Sequence, residues 1–183
     1  VNDFYDGVKK YIGKIFFVSN PEKDYFSDAK IKEIIKCEIE NFPKIIKEIE
    51  RLGIDEKLVK KAFVGDEANN FGYKKFTTKA KTQYRAYNLS EALNIDVCLY
   101  CNKNYTYTIV NKTKQYIRPD FDHFLDKESY PYLAMSFYNL IPSCQTCNRT
   151  LKHTQRFLLT THIHPYKDDF NSIKKFTTNK PLL

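Results

Sequence analysis

"SCQTCNR", residues Ser143–Arg149, carries the second of two C-x2-C pairs, and the first is "CLYC", Cys98–Cys101. A tetrahedral ion needs four ligands and each pair supplies two thiolates, so Cys98, Cys101, Cys144 and Cys147 read as a structural zinc site. A redox pair is the main alternative. The N-terminus lacks a basic start followed by an apolar run, so no secretory leader is expected and a disulfide framework is not the reading. The fifth cysteine, Cys37, falls within a helical pattern and reads as a buried apolar residue. An ion held by both knuckles decides the fold of this half of the chain, because it ties together segments lying 42 residues apart.

Between the knuckles the text has a β texture. Tyr105, Tyr107 and Ile109 alternate with Thr106, Thr108 and Val110, the chain turns at "NKTK" (111–114), and "QYIRP" (115–119) resumes. This predicts a β-hairpin leading into "RPDFDHF", Arg118–Phe124. "LDKESYP" then reads as a loop and "YLAMSFYNL" as a short helix entered at Pro131. "LIPSC" follows as a short strand, and the second knuckle opens a helix. The zinc would therefore bring Asp122 and His123 against Asn148, on the first turn of that helix. On a regular strand Asp122 and His123 point to opposite faces, so a bend or bulge is expected at this pair.

Upstream the pattern is helical. Ile31, Ile34, Ile35, Ile39, Phe42, Ile45, Ile46 and Ile49 recur at three- and four-residue steps. Ser27 is the expected N-cap, Pro43 a kink or restart, and Gly53 a stop. A helix over Glu56–Phe63 follows, then one over Thr78–Tyr87, with Ser90 capping a last turn that ends near Asn94. The expected class is α+β: a mainly helical region over residues 1–94, then a zinc-stapled unit over residues 95–183.

The chain has 183 residues, 42% hydrophobic and 15% aromatic, which excludes a disordered chain. Its longest apolar runs are broken by lysine, so no membrane span is expected and a cytoplasmic location is the reading. The formal charge of +8 suits a polyanion such as nucleic acid, or a lysine-rich surface that serves solubility alone.

The whole constellation runs Cys98, Cys101, Asp122, His123, Asn139, Cys144, Cys147, Asn148, with Lys152 and His153 close behind. Residues 98–153 resemble the HNH endonucleases, the ββα-metal or His-Me finger group, in their zinc-containing, endonuclease VII-like form. They are also similar to HNH proteins of anti-phage systems, among them the HNH subunits that accompany an ATPase in Septu-type defence. The resemblance covers about 55 residues; the first ninety or so carry no such resemblance.

The resemblance implies a metal-dependent endonuclease that hydrolyses phosphodiesters, with DNA favoured over RNA. Asp122 would be the acidic ligand of one catalytic divalent ion and His123 the general base that takes a proton from water. Asn139 would hold the loop that orients the histidine, and Asn148 would be the second metal ligand. Asp120 competes with Asp122 as ligand, but adjacency to the histidine favours Asp122. Oxygen ligands alone suit Mg2+ or Mn2+.

Lys103, Lys112, Lys114 and Arg118 on the hairpin, with Lys152 and His153, are candidate phosphate contacts, and Lys74–Arg85 could line a nucleic-acid groove or form a lysine-faced helix. His162 and His164 read as packing or loop residues. Two rivals stand beside the active nuclease. One is a zinc-stabilised nucleic-acid-binding module without catalysis. The other is a nuclease subunit switched on by an ATPase or sensor partner, with the helical region as docking surface.

Overall fold

The computed structural model describes residues 1–13, 22–66, 68, 70–79, 83–111 and 115–168. It is a mixed α+β structure: helices over the first half, then two small antiparallel sheets and a cluster of four cysteines. The helices are α1 (Asn2–Val8), α2 (Glu22–Tyr25), α3 (Asp28–Lys36), α4 (Phe42–Leu52), α5 (Glu56–Phe63), α6 (Gly72–Thr77) and α7 (Ala86–Leu93). The strands are β1 (Ile109–Val110), β2 (Gln115–Ile117), β3 (Asp120–His123) and β4 (Leu140–Ser143).

The expected cap at Ser27 and the expected stop at Gly53 both operate. The Ser27 side chain accepts the Lys30 amide and opens α3, which buries Ile31, Ile34 and Ile35. Helix α4 restarts at Phe42–Pro43 after a 3-10 turn, Ile39–Asn41, and buries Phe42, Ile45 and Ile49. It ends on Gly53 in the left-handed region, φ 59. Helix α5 has the expected bounds and is capped by the Asp55 carboxylate on the Lys57 amide.

The segment after α6 departs from expectation. Residues 83–85 are not helical, and α7 begins at Ala86, where the Asn88 side chain accepts the Arg85 amide at 2.8 Å. The reason is Arg85 itself, which is buried. Its guanidinium donates to the Lys75 carbonyl and lies 4.4 Å over the Tyr11 ring. Ser90 is therefore inside α7 rather than at a cap, and its hydroxyl meets that of Thr108 at 2.5 Å. Asn94 closes the helix in the left-handed region.

One buried cluster joins both halves of the chain. Phe4 of α1 packs edge-on against Phe76 of α6 and Phe137, while Phe26 meets Phe63 of α5. Phe121, Phe124, Leu133, Met135, Leu140 and Ile141, from the segment between the knuckles, belong to the same cluster. The helices thus form the wall on which β3 and β4 are laid.

In the expected hairpin, β1 pairs with β2 antiparallel and Val97 bridges Tyr105. Thr106 is buried while Tyr105, Tyr107 and Ile109 face outward. The "YLAMSFYNL" helix is replaced by two 3-10 turns, Pro131–Leu133 and Phe137–Asn139. The carbonyls that an α-helix would use are taken by side chains. Leu133 receives the Asn139 amide and Ala134 pairs with the His123 imidazole. No helix among the described residues is long and apolar enough to cross a membrane.

Candidate metal centre and adjoining cleft

The four sulfur atoms of Cys98, Cys101, Cys144 and Cys147 lie within 4.8 Å of one another. Tetrahedral zinc thiolates, with Zn–S about 2.3 Å, need sulfurs roughly 3.8 Å apart, so this cluster fits a metal ion such as zinc. The first knuckle is closed by the Asn102 amide on the Cys98 carbonyl and by Asn102 itself at φ 47. Amides also point at sulfur, as metal-binding thiolates require: Cys144 N donates to Cys98 Sγ at 3.2 Å, and Asn104 Nδ2 to Cys144 Sγ at 3.2 Å.

The second knuckle runs into a π-helical segment, Thr146–Lys152. The Asn148 amide donates to the Cys144 carbonyl, and the His153 amide to the Asn148 carbonyl five residues back. This segment packs beside β3, and a cleft of about 610 Å³ opens between them. Its lining includes Asp120, Asp122, His123, Asn148, Lys152 and His153, together with Arg118, Lys127, Arg149 and Arg156.

Strand β3 pairs residue for residue with β4, from Asp120 opposite Ser143 to His123 opposite Leu140. No bulge separates Asp122 from His123, which corrects the expectation. Instead the regular alternation sorts the side chains. Asp120 and Asp122 meet the π-helical segment, and His123 turns to the Tyr73 ring of α6, 4.4 Å away edge-on. All three nevertheless line the one cleft.

His123 is 6% exposed, and its Nε2 lies 3.0 Å from the Ala134 carbonyl oxygen. A carbonyl only accepts, so Nε2 carries the proton and Nδ1 is the basic nitrogen. Burial, with Lys127 adding to it, pushes the imidazole down to about 3, so it is neutral at neutral pH. Asn139 is fully buried and ties the intervening loop. It accepts the Leu125 amide at 2.8 Å and donates to the carbonyls of Leu125 and Leu133 at 3.0 and 3.1 Å. That fixes the stretch carrying the Ala134 carbonyl.

Asp122 accepts the Tyr100 hydroxyl at 2.5 Å and pairs with the Lys152 ammonium at 2.7 Å on the same oxygen, Oδ2. Burial pushes the Asp122 carboxyl up while Lys152 pulls it down; burial pushes Lys152 down while Asp122 pulls it up. Lys152 is only 5% exposed. It also donates to the carbonyls of His123 and Phe124 and sits 4.8 Å over the Phe157 ring.

Asn148 donates to Asp120 rather than to Asp122, at 3.2 Å, and Arg149 grips both oxygens of Asp120 at 2.7 and 3.0 Å. Asp120, Asp122 and Asn148 give the cleft an oxygen donor set, the kind that suits a hard divalent ion.

Among the phosphate candidates, Arg118 and His153 line the cleft, and Lys152 lines it with its ammonium turned to Asp122. Lys103 is exposed on the first knuckle, outside the cleft lining. Lys112 and Lys114 lie outside the described residues. Of the 74–85 stretch, Arg85 is buried in the core and residues 80–82 lie outside the described set.

Tyr100, Tyr73 and Tyr166 escape the sequence reading, whereas His164 packs as expected. Tyr100, between the first two cysteines, reaches Asp122. Tyr73 donates its hydroxyl to the Phe121 carbonyl at 2.8 Å as its ring meets His123. His164 packs 4.3 Å from Phe124, and Tyr166 donates to the Leu140 carbonyl, so residues 164–166 brace the back of β3 and β4. Only Tyr100 had a signal, its place inside a knuckle.

The chain is 35% identical over 51 residues to the Septu protein PtuB of Bacillus thuringiensis. The match spans 28% of this chain and 17% of that protein's length. No protein-family model matches the chain. No solved structure matches it.

Proposed function

We propose that this chain is a metal-dependent endonuclease of the HNH type, with zinc in the cysteine cluster and a single Mg2+ or Mn2+ held through Asp122 and Asn148. The observation that carries the reading is His123: a neutral imidazole, proton tied to the Ala134 carbonyl, lining a cleft shared with carboxylates beside a four-thiol cluster. In this reading Nδ1 of His123 takes the proton of the attacking water. Asn139 keeps the ring in place through the loop it ties. Asp122 and Asn148 would hold the divalent ion, which would supply charge stabilisation for phosphodiester hydrolysis. Burial is the main cause of the low basicity of His123 and Lys127 adds to it, and a phosphate beside the ring would act against both by favouring the protonated form.

Charge supports a polyanionic substrate. The chain carries +8 overall, and Arg118 and Lys127 in the cleft have no carboxylate within salt-bridge distance among the described residues. DNA is the favoured substrate. The likeness to a Septu protein supports a role as an effector of anti-phage defence, partnered by an ATPase or sensor, with residues 1–94 as the docking region.

The test compares wild type with His123→Ala on plasmid DNA, single-stranded DNA and RNA, with Mg2+, Mn2+ or EDTA. Metal-dependent cutting that falls at least a hundredfold in the variant is expected. Equal cutting by both proteins would sink the assignment of His123. Binding without cutting, unaltered in the variant and by any added partner, would leave a zinc-stabilised binding module instead.

A further inference from the structure

Every carboxylate lining the cleft is matched by a cation of the chain. Asp120 is held by Arg149, Asp126 lies 3.9 Å from Arg156, and Glu128 pairs with Lys60. Asp122 has the most enclosed partner: both its side chain and that of Lys152 are under a tenth exposed. The three hydrogens of the Lys152 ammonium meet three oxygens, those of Asp122, His123 and Phe124, with an aromatic ring alongside. A cation so fully coordinated is a fixture of the site, unlike a solvated surface lysine.

We propose that Lys152 is a positioning residue, a resident cation that clamps Asp122 to the end of β3 and, by neutralising it, makes divalent-ion binding depend on the phosphate of the substrate. The inference rests on the reading of Asp122 as metal ligand. A site of net charge near zero attracts a divalent ion weakly. A phosphodiester brought into the cleft restores the missing negative charge, so ion and nucleic acid bind cooperatively. The same clamp joins the Asp122 carboxylate to the His123 backbone, so ligand and base keep one relative placement.

The test measures Mn2+ affinity of the full chain by electron paramagnetic resonance or calorimetry. Lys152→Met and Lys152→Gln, which remove the charge, are expected to bind Mn2+ roughly tenfold more tightly than wild type, since a unit charge a few ångströms away is worth about that much. Lys152→Arg keeps the charge and stays near the wild-type value, and Asp122→Asn loses the binding. Charge-removing variants that melt cooperatively yet bind Mn2+ no more tightly than wild type overturn the inference alone, provided that Asp122→Asn still abolishes binding. If Asp122→Asn changes nothing, the ion does not sit at Asp122, and the site reading falls with the inference. Should both charge-removing variants fail to fold, the question is read in the His123→Ala background, with a duplex oligonucleotide whose saturation is followed by anisotropy. Mn2+ affinity should rise at least tenfold with DNA bound, and equal affinity with and without DNA refutes the coupling.

Discussion

His164 shows how one residue outside the cleft couples the molecule to acid. It is 1% exposed, packed on Phe124, and accepts the Tyr166 amide at 3.3 Å. Burial pushes its imidazole from 6.5 down to about 4, with Lys167 helping and Asp168 and Glu40 opposing. In the unfolded chain the ring protonates as pH falls through about 6.5, whereas the folded ring resists until about 4. Stability present above about pH 6.5 is therefore lost on the way down to about pH 4, to the extent of about 3 kcal/mol for this group. Urea midpoints measured from neutral pH to about pH 4 should show this loss, and His164→Gln should flatten its share of the slope. Identical slopes in the two proteins would refute the account. Residues of this kind are poorly legible in sequence. His123, Asn139 and the four cysteines could be picked out because a spacing pattern links them. Lys152 reads from the sequence as a candidate phosphate contact, because its partners, Asp122 and the His123 and Phe124 carbonyls, lie 28 to 30 residues away.

At the level of elements, legibility follows locality. The start of α3 and the stop of α4 are set by Ser27 and Gly53, each acting within its own turn, and these could be read directly, as could the bounds of α5. The start of α7 depends on Arg85 reaching Tyr11 and Lys75, and the lysine-rich text before it imitates a helix. The missing helix at 132–140 has a related cause, since the segment's own Asn139 side chain and His123 from β3 take its carbonyls. Helix α6 rests on a similar close approach. Gly72 opens it at φ +59, and a Cβ there would lie 2.3 Å from the Phe63 carbonyl oxygen at the end of α5. Gly72→Ala is expected to cost more than about 2 kcal/mol, from backbone strain and the clash together. Gly53→Ala shares the φ of +59 but meets nothing within 4 Å, so about 1 kcal/mol is expected. Thermal melts of the two variants give the comparison, and equal losses would show that the α5–α6 contact is not tight. Because α6 carries Tyr73, Gly72→Ala also disturbs the support of His123.

Across the whole molecule, the expected change of texture near residue 95 marks a change of element type, while the buried cluster runs through it. Phe4 touches Phe137, Phe76 lies against Phe121, and Tyr73 bonds the Phe121 carbonyl. The chain should accordingly unfold in one transition, followed by tyrosine absorbance and by far-ultraviolet dichroism, and residues 95–183 alone should not fold. Two separated transitions, or a folded C-terminal fragment, would contradict this. The cysteine cluster adds a matter of timing. Helices α3 to α5 form from neighbours in the chain, whereas Cys98 and Cys144 meet across 46 positions. Closing that span is entropically late. During refolding, four thiols wait unpaired while the helices are already built, so the yield of native chain should depend on reductant and metal being present in that interval.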